Sequence, residues 1–328
     1  MLPTAHVQLD EIKAPVRERL GRVEEALRGM VPSGFESLDE VGEYLFSRSG
    51  KLFRPTLLLL SNGVGDRPAE VAIRLAAIVE LLHVATLVHD DAVDHSVRRR
   101  GMPTVNDRWT HQVAIIAGDY LYSRAVIEIT GLGRLEPIAI LARTANQMTV
   151  GEMRQLILHD RLDFTRADYD RLCECKTASL FRAACELGAL AGMEAYREPL
   201  AEYGYHLGMA FQIIDDLLDY SETSAVTGKP SGQDLQEHKV TLPLIAALPS
   251  MDAGERDRVE ALFSNPEPGA GAVREVVGLV ARHGGLEAAR EEARSRADRA
   301  RGRLEGLAQG ECLDALHAAV DYVVERVR

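Results

Sequence analysis

Residues 71–94 read VAIRLAAIVELLHVATLVHDDAVD. Apolar side chains recur along this stretch at spacings of three and four, the periodicity of a helix, and the apolar run from Ile78 to Val88 predicts that the helix is largely buried. The run closes on three carboxylates, Asp90, Asp91 and Asp94. The same periodicity returns over residues 113–129, 138–158, 172–191 and 200–218. Aromatic residues make up only 5% of the chain, and no stretch alternates cleanly over six or more residues between hairpin dipeptides, so strand signals are sparse. The expected fold class is all-α.

Outward from these helices, breaks are predicted at Ser61-Asn62-Gly63, Arg100-Gly101-Met102-Pro103, Gly131-Leu132-Gly133 and from Ser264-Asn265-Pro266 on to Gly271, each rich in residues that interrupt a helical pattern. None is long enough to link two domains. The longest irregular stretch, residues 221–241, contains Gly228-Lys229-Pro230-Ser231-Gly232 and suits a lid over a site. Residues 287–303 alternate acidic and basic side chains at helical period, which predicts a solvated face without chemistry.

Composition narrows the function. With 46% hydrophobic and 27% charged residues in 328, the chain has ample material for a core and is neither disordered nor disulfide-dense. Lys and Arg total 38 against 50 Asp and Glu, a net charge of -12, which argues against nucleic acid as a partner because a phosphate backbone is repelled. The first residues, MLPTAHVQLDEIK, lack the basic and then apolar stretch of a signal peptide, and no run reaches the roughly 18 apolar residues of a transmembrane segment. A cytoplasmic protein is expected. Cys173, Cys175, Cys185 and Cys312 lack paired CxxC spacing, so they read as reduced structural thiols.

The chemistry lies in a repeated pattern. Asp90, Asp91 and Asp94 spell DDxxD, as do Asp215, Asp216 and Asp219 at the end of the second apolar run, from Leu207 to Ile214. Residues four apart project from one face of a helix, so each cluster is expected to present converging carboxylates. Like charges at that spacing destabilise a helix, and buried carboxylates cost several kcal/mol each unless paired or bound to metal. Oxygen ligands without nearby His or Cys pairs suit a hard ion, and Mg²⁺ takes one or two carboxylates per ion with waters and substrate phosphates completing its shell. A diphosphate bound through Mg²⁺ is therefore predicted, with all six aspartates as ligands. Basic runs at Gly50-Lys51-Leu52-Phe53-Arg54-Pro55 and Arg98-Arg99-Arg100-Gly101 could hold phosphate directly, arginine through its planar fork and lysine as a point charge.

With these motifs together, the chain resembles the trans-isoprenyl diphosphate synthases of the polyprenyl synthetase family, across nearly its whole length. The motifs stand in the family's order: GKLFRP at Gly50, ELLHVATLVHDDAVD from Glu80, RRGMPTVN from Arg99, AGDYL at Ala117, GEMRQL at Gly151, KTASLF at Lys176, FQIIDDLLDY at Phe211, GKPSGQDL at Gly228 and KVTLPLI at Lys239. The resemblance implies one helical-bundle domain over residues 1–328 around a central substrate cavity, and a homodimer. It implies that Lys51, Arg54, His83 and Arg100 hold isopentenyl diphosphate while Arg99 joins the metals on the allylic diphosphate. Lys176, Thr177, Gln212, Lys229 and Lys239 match further contacts to the allylic substrate, and the first three match groups near the reacting carbons. One departure is Leu52, where many relatives carry a second basic residue.

The implied reaction needs no protein nucleophile, and no Ser/His/Asp or Cys/His arrangement stands out. A class I terpene cyclase shares the first cluster but usually replaces the second with an Asn/Ser/Glu motif, and it has no need of Lys51, Arg54 and Arg100. A non-catalytic partner subunit would be expected to have lost aspartates, whereas all six stand here. For chain length, Thr86 and Leu82 lie one and two turns below Asp90, with Ala85 beside them. Residues 74–89 contain no Phe, Tyr or Trp, whereas short-chain relatives commonly place an aromatic four or five residues before the cluster. A product longer than farnesyl diphosphate is expected.

Overall fold

The computed structural model describes residues 8–47, 50–65, 69–99, 101–158, 161–220 and 232–326. The helices run in chain order as α1 (Leu9–Lys13), α2 (Arg17–Met30), α3 (Glu36–Phe46), α4 (Phe53–Gly63), α5 (Val71–Val93), α6 (Val105–Arg108), α7 (His111–Thr130), α8 (Leu135–Leu158), α9 (Arg166–Cys173), α10 (Ser179–Ala191), α11 (Arg197–Asp219), α12 (Gln233–Gln236), α13 (Leu242–Ala247), α14 (Ala253–Phe263), α15 (Ala270–Arg282), α16 (Gly285–Gly302) and α17 (Glu311–Glu325). The all-α expectation holds. Among the described residues the exception is a short hairpin, β1 (Arg98–Arg99) with β2 (Met102–Pro103), paired antiparallel with Arg99 opposite Met102. Gly101 turns it at φ +79°, a conformation that costs a glycine little.

Helix α5 is the axis of the bundle. It packs against α2, α4, α7 and α10, and a helix apolar on all sides finds its place only inside a protein. By length and composition it could cross a membrane, with a mean hydropathy of 2.0 over its most apolar window, which the reading of the sequence missed. Yet 67% of that window is buried among neighbouring helices. The main hydrophobic core takes in residues from Ile12 to Val323, and a smaller cluster gathers Val41, Val88, Ala92, Val105, Ala114 and Ala117.

Two further expectations change. The break predicted at Ser61-Asn62-Gly63 is the last turn of α4, because Asn62 satisfies backbone across the core: its Nδ2 donates to Gly188 O at 3.2 Å, and its Oδ1 accepts from Ala69 N at 3.0 Å. The charged helix α16 does have a solvated face, but it also buries Ala289, Ala293, Ala297 and Ala300 where it packs on α11. All four cysteines are free thiols, three of them buried.

Between α9 and α10 the chain makes one π-helical turn, Glu174–Ala178. Two glycines let it lie close to its neighbours. A Cβ on Gly151 of α8 would come 2.8 Å from Cys175 Cβ, and one on Gly208 of α11 would come 2.7 Å from Ala178 Cα. The turn is thus clamped between α8 and α11, and single π turns inside helices occur frequently at functional sites.

Candidate active site

The ends of α5 and α11 bring both aspartate clusters to one cavity of about 420 Å³, lined by Asp90 and Asp94 from the first and Asp215 and Asp216 from the second. Arg54, Arg99, Lys176 and Lys239 line it too, so anionic and cationic groups meet around a single volume. The lining also includes apolar side chains, among them Met148, Leu158 and Phe164. Such a cavity accepts a charged head and a hydrocarbon tail.

Asp91 is oriented differently from Asp90 and Asp94. One residue on from Asp90 it points about 100° round the helix, so it cannot share the face of Asp90 and Asp94. It is 6% exposed and accepts Arg99 Nε on both carboxylate oxygens, at 2.8 and 2.9 Å. The hairpin brings Arg99 back over α5 to make this contact. Asp91 faces a neighbouring cavity of about 360 Å³ and does not line the one that Asp90, Asp94, Asp215 and Asp216 share.

In the second cluster the three carboxylates have three environments. Asp216, 6% exposed, accepts Tyr169 Oη at 2.6 Å and Gln212 Nε2 at 2.8 Å. Asp215 pairs with Arg326 at 2.9 Å. Asp219 accepts the backbone N–H groups of Gln233 and Asp234 at 3.1 and 2.9 Å, which fixes the start of α12 and sets Asp234 in the cavity wall.

Electrostatics record the crowding. Burial pushes the Asp90 carboxyl up to about 7, with Glu152 adding to the rise and Lys176 opposing it. Burial likewise pushes Asp216 up to about 7, against the hydrogen bonds from Tyr169 and Gln212, and raises Asp234 well above the usual carboxylate range, with Asp219 and Asp216 adding to it. Buried carboxylates that resist ionisation mark a place where cations are wanted. No three His, Cys, Asp or Glu side chains among the described residues converge into a chelating set, so an ion here would need further oxygens. An all-carboxylate donor set that leaves coordination positions to phosphate and water fits Mg²⁺.

The π turn carries Lys176 and Thr177 to the same cavity. Lys176 Nζ donates to Gln155 Oε1 at 2.7 Å and pairs with Glu152 Oε2 at 2.5 Å, both on α8. Thr177 Oγ1 donates to Gln212 Oε1 at 2.7 Å, and Gln212 passes its own N–H to Asp216. The chain Thr177–Gln212–Asp216–Tyr169 links the π turn, α11 and α9, and its donors converge on the Asp216 carboxylate from both sides. Lys239 pairs with Glu237 at 2.5 Å.

On the other side, Arg54 Nη1 lies 2.9 Å from His83 Nε2; arginine has only donors, so this imidazole nitrogen accepts. Leu52, between Lys51 and Arg54, adopts φ +48°, a left-handed conformation that costs a branched residue roughly 1–2 kcal/mol. That turn leaves Lys51 exposed while Leu52 and Phe53 are buried. Lys51, Arg54 and His83 border a small cavity of about 70 Å³ next to the main one. Arg100 and Lys229 lie outside the described residues, as does most of the proposed lid. Of the three chain-length positions, Thr86 lines the cavity, but Leu82 and Ala85 are each 1% exposed and belong to the core, because they face α5's packed side.

Reading the sequence passed over Tyr169, Glu152, Gln155, Asp234 and Arg326. Glu152 and Gln155 lie within GEMRQL and Asp234 within GKPSGQDL, so a signal existed for them. Tyr169 and Arg326 carry none, since only folding brings them near Asp216 and Asp215.

Residues 35–280 match the model of the family described as polyprenyl synthetase. The chain is 34% identical over 320 residues to the all-trans-nonaprenyl-diphosphate synthase (geranyl-diphosphate specific) of Rhodobacter capsulatus, covering 97% of this chain and 98% of that one. It is 33% identical to the octaprenyl diphosphate synthase of Escherichia coli K12, covering 98% and 100%. The crystal structure of polyprenyl synthase from Caulobacter crescentus CB15, complexed with calcium and isoprenyl diphosphate, superposes with a TM-score of 0.92 at 30% identity, over 99% of each chain.

Proposed function

The chain belongs to the polyprenyl synthetase family, and from that membership we propose that it is a magnesium-dependent trans-prenyltransferase of the cytoplasm. It joins isopentenyl diphosphate to an allylic diphosphate and releases a linear polyprenyl diphosphate longer than farnesyl. The observation that carries this reading is one cavity lined by carboxylates from both aspartate clusters together with Arg54, Lys176 and Lys239. The octaprenyl and nonaprenyl products named for its relatives support the long chain.

Asp90, Asp94, Asp215 and Asp216 would hold Mg²⁺. Bound there with the allylic diphosphate, the metal supplies neutralisation of the leaving group. Asp91 and Asp219 serve the frame, one holding Arg99 and the other α12. Lys176, Lys239 and Arg99, with Lys229, bind the allylic diphosphate oxygens, and Lys51, Arg54, His83 and Arg100 hold the diphosphate of isopentenyl diphosphate. As the allylic C–O bond breaks, the Thr177 and Gln212 dipoles stabilise charge beside the reacting carbon. The double bond of isopentenyl diphosphate forms the new C–C bond, and the proton it then loses goes to an oxygen of the departed diphosphate. The hydrocarbon grows past Thr86 towards Met148 and Phe164. We also propose one domain over residues 1–328 and a homodimer joined through Ile115, Ile116 and Ile127 of α7 with Met153, Leu156 and Ile157 of α8, all exposed.

The test is incubation of the purified protein alone with labelled isopentenyl diphosphate, a geranyl or farnesyl primer and Mg²⁺, followed by chromatography. Linear products beyond farnesyl are expected. Cyclic products, or none without a second protein, would overturn the reading.

A further inference from the structure

At the rim of the main cavity Arg326, just past the end of α17, crosses to α11. Its Nη2 lies 2.9 Å from Asp215 Oδ1, and its guanidinium carbon stands 4.9 Å from the centre of the Phe211 ring. Phe211 and Asp215 are four apart and share one helix face, so a single guanidinium spans both. Stacking and ion pairing together hold it more firmly than either alone. Arg326 is 23% exposed and Asp215 41%.

The same side chain borders the small cavity with Lys51, Arg54 and His83. At about 70 Å³ that cavity has room for only a few waters at about 30 Å³ each, and a diphosphate entering it needs the rim to yield. Phe211 lines both cavities, so Arg326 stands at their junction with an anion on one side and three basic side chains on the other.

We propose that Arg326 is a resident cation of the second cluster, which a divalent ion displaces from Asp215 and which then joins Lys51 and Arg54 around the diphosphate of isopentenyl diphosphate. The inference rests on the function proposed above and adds to it a coupling between the two subsites. In the metal-free protein the guanidinium satisfies Asp215 and blocks the small cavity. When Asp215 becomes a metal ligand, Arg326 loses its counter-ion, and the nearest uncompensated anion is the incoming diphosphate. Occupation of one subsite therefore prepares the other, and by linkage the effect is reciprocal.

Calorimetry of Mg²⁺ titrated into the full chain at a fixed, saturating concentration of inorganic diphosphate reads the first half directly. Arg326→Gln is expected to bind Mg²⁺ about tenfold more tightly than the wild type, within the range of typical couplings between sites, because the metal no longer competes with an internal cation. The same variant is expected to raise KM for isopentenyl diphosphate about tenfold while KM for the allylic primer changes less than twofold. Arg326→Lys keeps the charge without the planar fork and is expected to fall between the two on both measures, which keeps the test open should Arg326→Gln fold poorly. A helix-end pin without exchange would leave Mg²⁺ affinity unchanged or weaker, and that result overturns the proposal. So does tighter Mg²⁺ binding with an unaltered KM for isopentenyl diphosphate. If the wild type binds Mg²⁺ and diphosphate but forms no product, the prenyltransferase reading fails while the calorimetry still decides whether Arg326 competes with the metal.

Discussion

Neighbouring aspartates of identical sequence pattern take different roles because burial and partners differ. Asp90 and Asp215 face the shared cavity, and Asp90→Ala and Asp215→Ala are each expected to lower turnover at saturating Mg²⁺ by at least about a hundredfold, as for loss of a principal electrostatic element. Steady-state kinetics decides this, and near-normal turnover in either variant would sink the two-cluster site. The raised carboxyls make a second expectation. Asp90 and Asp216 titrate near 7, against an ordinary value of 3.8, so the folded metal-free protein keeps protons that the unfolded chain has released. The folded state binds more protons between about pH 4 and 7, and the contribution of these groups to stability therefore falls as pH rises through that window. A divalent cation replaces those protons. Melting temperatures with and without Mg²⁺ and inorganic diphosphate are expected to differ more at pH 8 than at pH 5.5, and an equal gain at both would refute the linkage.

The element that sets the chemistry is the π turn, whose position depends on the missing side chain of Gly151. In Gly151→Ala the new methyl meets Cys175 Cβ at 2.8 Å and Lys176 Cγ at 2.9 Å, so the turn must shift away from α8. A displacement of about 1 Å at a positioning group costs on the order of a hundredfold in rate. The variant is expected to lose ten- to a hundredfold in kcat while retaining its helical circular dichroism; unchanged kcat would show that the clamp does not position Lys176. Helix α12 depends on α11 in the same manner, since Asp219 carries its first N–H groups.

Across the whole molecule, packing separates positions that look equivalent in the sequence. Thr86 lines the cavity and Ala85 lies in the core. Thr86→Phe is therefore expected to shorten the main product, because a ring cannot share a close-packed pocket with the growing chain. Ala85→Phe is expected to destabilise the fold by about 1–3 kcal/mol, as overpacking does. Product chromatography and denaturant unfolding separate these outcomes, and a long product from Thr86→Phe would refute this route for the chain. The apolar face of α7 and α8 gives a last expectation: Ile116→Glu is expected to lower the mass seen by light scattering from that of the proposed dimer to that of a monomer of about 36.0 kDa. A wild type that is monomeric alone and pairs only with a different subunit would replace the homodimer.

The helical class, the long apolar α5 and the two aspartate clusters are all legible in the sequence, because helical periodicity and charge spacing are local properties that neighbouring residues settle among themselves. The sequence also carried Lys176, Thr177 and Gln212, once the ordered series of motifs pointed to a family. Only the tertiary structure separated Asp91 from Asp90 and Asp94, since its partner Arg99 returns through a hairpin too short to leave a strand pattern. Nor could local order show the π turn, which exists because Gly151 and Gly208 let two helices close on it, or Tyr169 and Arg326, which meet Asp216 and Asp215 across 47 and 111 residues of chain. Long-range neighbours are chosen by which faces pack together, and a helical repeat fixes the face but not what will cover it.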